Sequence, residues 1–414
     1  MINYQQFALD NGMTVLVMDD GSTPLVSVNT LVGVGARDED EHRTGFAHLF
    51  EHLMFGGTSR VPDYDKVVTE MGGESNAFTN NDYTNFYLTV PKQFVETALW
   101  LESDRLQGLN INAKTLAVQQ SVVTEEYNYR YINQPYGDVW LLLRPLCYKK
   151  HPYRWCTIGA DIRHVQEATL DDVRAFFDNY YNPANAVLSV AGNLSGVDVR
   201  KLVDKWYGDI ESRPVLRKQL PEESPVEAPR QMTVYRNVPS DAIHIAYHTV
   251  GRTDNDFPST DLISDVLSNG NSSRLYNRLV KERRMFSELD AYVTGDADPG
   301  LFVVSGKLCD GVGCDEARQA IEAELDDLVV NGVSEAELEK VKNKFESTFG
   351  YSHYKALDCA MSLSYYHWLN RGDWVNNEPC VYRAVTASDI QRVAGSLFDK
   401  WGQSVLYYKR SGGE

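Results

Sequence analysis

The feature that most constrains this chain is a proline-dense stretch near its middle. Pro214, Pro221, Pro225 and Pro229 fall within sixteen residues, together with Glu222, Glu223 and Glu227. Proline blocks helix and removes sheet donors, so this stretch reads as an extended linker at 213–229. It divides the 414 residues into a first domain at 1–212 and a second at 230–414. The halves echo one another. Thr169-Leu170-Asp171-Asp172 opens an amphipathic run followed by the apolar strand Ala186–Ala191. Thr386-Ala387-Ser388-Asp389 opens a similar run followed by Ser404–Tyr408. Each threonine suits an N-cap, and each aspartate then sits in the favourable first turn. The matching positions predict a duplicated domain.

Within each half, strands and helices alternate. Asp10-Asn11-Gly12 is a hairpin signal between Gln5–Leu9 and Met13–Met18. Leu25–Val34 reads as a strand, and Thr44–Phe55 as a helix ended by Gly56-Gly57. Pro62 opens a short helix that stops at Gly72-Gly73. Asn76–Thr79 and Tyr83–Val90 read as strands, and Gln93–Leu106 and Ala113–Tyr131 as helices. Tight turns between neighbouring strands predict an α+β fold with largely antiparallel sheets.

Composition narrows the function classes. The formal net charge of −18 disfavours nucleic-acid binding, since no compact basic patch offsets it. No run of about 18 apolar residues predicts a membrane span. The first residues carry no basic and apolar leader pattern, which makes the cytoplasm the expected compartment. The six cysteines contain no C-x-x-C pair and are expected to be reduced.

The chemistry concentrates in His48-Leu49-Phe50-Glu51-His52. On a helix, His48 and His52 lie one turn apart on one face, where two imidazoles can hold one metal ion. Glu51 points toward the same face, within reach of a water at that ion. Leu49, Phe50, Leu53, Met54 and Phe55 make the segment apolar. Two histidines and a carboxylate buried there are costly unless something pairs them. A catalytic zinc takes three protein ligands and keeps one position open. Val122-Val123-Thr124-Glu125-Glu126-Tyr127 offers two candidates for the third, and periodicity does not choose between Glu125 and Glu126.

The H-x-x-E-H segment, the following L-M-F-G-G-T, Gly72–Thr79 with its N-A-F-T, V-V-T-E-E from Val122, and Ser272-Ser273-Arg274-Leu275 together resemble the pitrilysin-like (inverzincin) zinc metallopeptidases. The resemblance is to the short bacterial branch related to the mitochondrial processing peptidase. It implies zinc held by His48, His52 and a downstream glutamate, with Glu51 as general base. In relatives that glutamate precedes a bulky residue some seventy positions on, which favours Glu126, 74 residues after His52. It also implies two similar α+β domains facing each other across a chamber. Asn76, Ala77 and Phe78 fall where relatives pair an edge strand with extended substrate.

The expected function is therefore a zinc-dependent endopeptidase or oligopeptidase acting on unfolded peptides. The rival from another class is a non-catalytic assembly subunit of the same fold. Two departures from the family pattern stand out. Gln119 replaces a glutamate seven residues before the ligand position. Val280 and Ser287 occupy the positions of an Arg and a Tyr that relatives direct at the substrate carbonyl. Tyr292 or Arg283 could substitute. The branch instead suggests a heterodimer with a related subunit lacking H-x-x-E-H, with a homodimer as runner-up. His244 and His248 sit in an alternating run and read as structural. His151, His164, His353 and His367 have no constellation around them.

Overall fold

The computed structural model describes residues 1–411. Its eleven strands form two mixed sheets flanked by helices, an α+β architecture. The first sheet contains β1 (Gln5–Ala8), β2 (Thr14–Asp19), β3 (Leu25–Val32), β4 (Glu74–Thr79), β5 (Thr84–Pro91) and β6 (Ala186–Gly192). Their order is β1-β2-β6-β3-β5-β4. The second contains β7 (Arg230–Arg236), β8 (Ala242–His248), β9 (Phe286–Val293), β10 (Leu301–Leu308) and β11 (Gln403–Arg410), in the order β7-β11-β8-β10-β9.

Without β1, the two orders match strand for strand. The single parallel pair is β2 with β6 in one sheet and β7 with β11 in the other. Register carries the duplication down to residues. Asn76 on edge strand β4 faces Tyr87, which lies on the strand next to Asn29, and Asn29 faces Ser189. Asp290 on edge strand β9 likewise faces Ser305, then His244, then Leu406. Thr169 and Thr386 each cap a helix through a reciprocal bond with the aspartate three residues on. Asp63, rather than Pro62, caps the short helix Tyr64–Glu70.

The compact units differ from the two sequence halves. One comprises Met1–Tyr127, Trp155–Leu220 and Phe349–Asn377; the other Asn128–Arg154, Pro221–Thr348 and Glu378 onward. Within the proline-rich stretch the units change between Leu220 and Pro221, and one helix from each half belongs with the other half's sheet. Ala356–Trp368 lies on β3 and β6, where Cys359, Ala360 and Leu363 pack against Leu16, Met18 and Val187. Its Ser364 hydroxyl meets Asn29 Nδ2 at 3.1 Å and the Ser189 hydroxyl at 2.7 Å. In the other unit, Val139–Cys147 covers β8 and β11, with Val139, Leu143 and Leu146 on Ala246, Leu406 and Tyr408. A sheet with two apolar faces needs cover on both, and proximity in sequence does not decide which segment supplies it.

The linker itself forms no helix or strand between residues 211 and 229. It is nevertheless fastened. In the first unit Arg217 Nη2 donates to Asn185 Oδ1 at 2.7 Å. In the second, the Glu223 carboxylate accepts the amides of Lys149, Lys150 and His151 at 2.8–3.0 Å.

Candidate metal centre

The histidines sit on α1 (Phe46–Leu53). Its N-cap is Gly45 at φ +87°, a left-handed conformation that favours glycine. A Cβ there would lie 2.8 Å from both the Ile158 carbonyl and Val165 Cγ2. The apolar side of α1 goes into the core, where Phe50 stacks on Phe176 at 5.0 Å and Tyr181 at 5.1 Å. The opposite side carries His48, Glu51 and His52. The two imidazoles stand edge to face with centroids 4.9 Å apart.

The helix Ala113–Tyr127 brings the third donor. Glu126 Oε2 lies 3.6 Å from His48 Nε2 and 3.3 Å from His52 Nε2. Glu125 is exposed. Among the described residues, His48, His52 and Glu126 are the one group of three or more His, Cys, Asp or Glu whose donor atoms gather within 4.8 Å. Two imidazoles and one carboxylate, partly withdrawn from solvent, match the donor set of a three-ligand catalytic zinc. Gln119 is half-buried two turns earlier on the same helix. Its neighbour Gln120 spans to the Val165, Gln166 and Ala168 carbonyls at 2.9–3.1 Å and ties this helix to the segment behind α1.

Glu51 is half-buried beside the cluster. Burial raises its pKa above the usual carboxylate range, and Glu126 adds to the rise. Hydrogen bonds from the Thr79 hydroxyl and backbone, and the nearby His52, oppose it. The sequence reading missed this role of Thr79. A β-strand residue reaching a helical carboxylate leaves no periodic trace in the chain.

Thr79 ends β4, the open edge of the first sheet. Along this strand Asn76 and Phe78 are exposed while Ala77 is buried. The Ala77 N–H donates to Asn76 Oδ1 at 2.8 Å, so a side chain covers this edge amide. The open edge and the general-base candidate therefore meet at one residue.

The second unit offers no equivalent cluster among its described residues. The helix Phe257–Ser268 precedes β9 as α1 precedes β4, and it carries Asp261 and Asp265 at the same four-residue spacing. Val280 is half-buried against the apolar core. The Ser287 hydroxyl donates to the Lys307 carbonyl at 3.3 Å. Tyr292 leans on Trp140 with ring centroids 6.4 Å apart. His244 bonds Ser305 at 2.9 Å through Nδ1, and burial depresses its pKa to about 4. His248 Nε2 bonds the Cys147 carbonyl at 3.1 Å. All six cysteines are free thiols. No helix among the described residues is long and apolar enough to cross a membrane.

Comparison with known proteins gives the lineage. Residues 14–135 match the family model "Insulinase (Peptidase family M16)", and residues 167–345 match "Peptidase M16 inactive domain". The first match contains His48, Glu51, His52 and Glu126; the second contains none of them. The zinc protease PqqE of Helicobacter pylori is 26% identical, with 98% of this chain and 93% of that protein covered. An uncharacterized zinc protease of Bacillus subtilis, YmxG, is 25% identical over 83% of each chain. A probable mitochondrial-processing peptidase β subunit of Arabidopsis thaliana is 23% identical, covering 82% of this chain and 66% of that one. A crystal structure of a protease from Helicobacter pylori superposes with a TM-score of 0.92 at 25% identity, covering 99% of this chain and all of the other. The chain belongs to the M16 peptidase family, the insulinase or pitrilysin-like metallopeptidases.

Proposed function

We propose that this chain is a zinc-dependent endopeptidase or oligopeptidase that cuts extended peptides. The observation carrying this reading is the approach of Glu126 Oε2 to both imidazole Nε2 atoms, with Glu51 alongside. His48, His52 and Glu126 would hold the ion. A zinc ion there supplies Lewis acidity, which brings the pKa of water toward about 7 and polarises a carbonyl.

The remaining steps belong to the chain. Extended substrate adds to β4, displacing the Asn76 side chain from the Ala77 amide. Pairing through the backbone binds peptides of varied sequence and requires them to be unfolded locally. Glu51 takes a proton from the attacking water and returns it to the leaving amine. Thr79, at the end of the substrate strand, lies beside the Glu51 carboxylate.

The two positions where the family resemblance places a donor to the developing oxyanion do not offer one here. Val280 has no polar group, and the Ser287 hydroxyl is engaged by main chain. A second, related subunit lacking H-x-x-E-H would complete the site, and such a heterodimer is part of this proposal.

The test is zinc content together with cleavage of a quenched extended peptide. Activity lost to a chelator and restored by zinc supports the reading. A zinc-loaded chain inert toward peptides with every related partner supplied points instead to an assembly subunit.

A further inference from the structure

We propose that Glu39 is a positioning residue for the metal centre, clamping the start of α1 to the turn that follows the substrate strand. The inference rests on the metallopeptidase reading above and assigns the group that sets the place of His48.

The need for such a group follows from the helix itself. The first amides of any helix lack partners inside it, and a side chain at the N-cap normally accepts one. Here the N-cap is Gly45, which has no side chain. Glu39 substitutes from outside the helix. Its Oε2 accepts the Gly45 amide and its Oε1 the Ala47 amide, each at 2.8 Å. The two bonds straddle Phe46, so one planar carboxylate fixes both the height and the rotation of the first turn. His48 is the next residue. Glu39 is 4% exposed, so water does not compete for these bonds.

The other end of the clamp is equally defined. Glu39 follows a short turn, Ala36–Asp38, whose amides bond the turn between β4 and β5. Ala36 N–H donates to the Asn80 carbonyl at 3.1 Å and Arg37 N–H to the Asn81 carbonyl at 2.9 Å. Arg37 Nη1 pairs with Asp82 Oδ1 at 2.9 Å. Gly35 permits this approach, since a Cβ there would lie 2.4 Å from the Asp82 amide nitrogen. The Trp155 ring N–H holds the Ala36 carbonyl at 2.8 Å. One short segment thus ties the turn after Thr79 to the amides before His48. Bonds behind metal ligands typically contribute about 10- to 100-fold in affinity when removed.

Glu39→Gln tests this. The amide has nearly the same shape, keeps one acceptor and turns an N–H against the other amide. The variant is expected to raise the zinc dissociation constant by about tenfold or more. It is also expected to change the visible absorption of the cobalt-substituted protein, which reports ligand geometry. Glu102→Gln, which breaks the buried pair with Arg105, controls for lost stability; it should lower Tm and leave zinc affinity unchanged. A folded Glu39→Gln protein with wild-type zinc affinity and cobalt spectrum overturns the assignment, as does an equal affinity loss in Glu102→Gln. Hydrogen exchange of the wild-type chain is an independent arm. Zinc should slow exchange in residues 45–49, and an unchanged rate there overturns the coupling even if the variant does not fold. A wild-type chain that binds no zinc overturns the metallopeptidase reading with it; intact zinc binding and cleavage with an indifferent Glu39 overturns this inference alone.

Discussion

Glu126 Oε2 lies 3.3 Å from Nε2 of His52, across two helices with 59 residues of sequence between them. The contact distinguishes Glu126 from Glu125, which sits next to it but is exposed to solvent. Glu126→Gln is expected to weaken zinc binding by at least about tenfold, while Glu125→Gln leaves it nearly unchanged. Zinc titration of the two variants checks the assignment, and a larger loss at position 125 would reverse it.

Glu51→Gln is expected to keep zinc and lose peptidase activity, by about 10²- to 10⁴-fold for loss of a general base. Metal content and turnover must be measured on the same preparation. Near-full turnover in the zinc-loaded variant would remove Glu51 from the reaction.

Ala77→Pro probes the edge strand. Proline is tolerated on an open edge, and the N–H it removes bonds only the neighbouring Asn76 side chain among the recorded partners. The expected result is a KM raised by up to about tenfold, the worth of one hydrogen bond, with Tm little changed. A KM equal to wild type for long peptides would argue that substrate does not pair with β4.

Asp261 gives a pH signature in the second unit. Burial raises its pKa from 3.8 to about 6, helped by Asp265 and Glu378 and opposed by the Tyr382 hydroxyl bond and Arg252. A carboxyl raised in the folded state contributes stability below its unfolded pKa and loses it as pH rises through the folded value. Asp261→Asn removes that loss while keeping an oxygen for Tyr382. The variant should gain stability relative to wild type at pH 8, at most about 3 kcal/mol from roughly two pKa units, and only about a third of that at pH 4.5. Thermal unfolding at the two pH values decides it; an equal shift at both would assign the effect to packing.

Addition of a related subunit lacking H-x-x-E-H is expected to raise kcat of the purified chain. Full activity from a monodisperse, zinc-loaded preparation of this chain alone, with no gain from the partner, would count against the heterodimer.

The sequence exposed what depends on local periodicity. The four-residue spacing of His48 and His52, the threonine caps at 169 and 386 and the proline-rich division were readable because each is written within a few residues. The observed capping bonds agree with the threonine caps. What escaped was cross-chain. The exchange of helices depends on which apolar face each sheet leaves bare. The link from Thr79 to Glu51 joins a strand to a helix. The likeness of the edge strands, Glu-Ser-Asn-Ala-Phe at 74–78 and Glu-Leu-Asp-Ala-Tyr at 288–292, became visible once register aligned Asn76 with Asp290. Glu39 escaped because a capping residue six positions before its N-cap breaks no sequence rule.

The crossing of Val139–Cys147 and Ala356–Trp368 bears on how the chain can be cut. A fragment ending at the linker would lack the helix that seals β3 and β6, leaving Leu16, Met18 and Val187 bare to solvent. The complementary fragment would lose the seal over Ala246 and Leu406. Neither piece is a self-sufficient folding unit, yet each carries the lid the other needs. A protease nick between Pro221 and Pro229 would therefore leave two strands of polypeptide that copurify without denaturant, and the two fragments should regain structure together rather than apart.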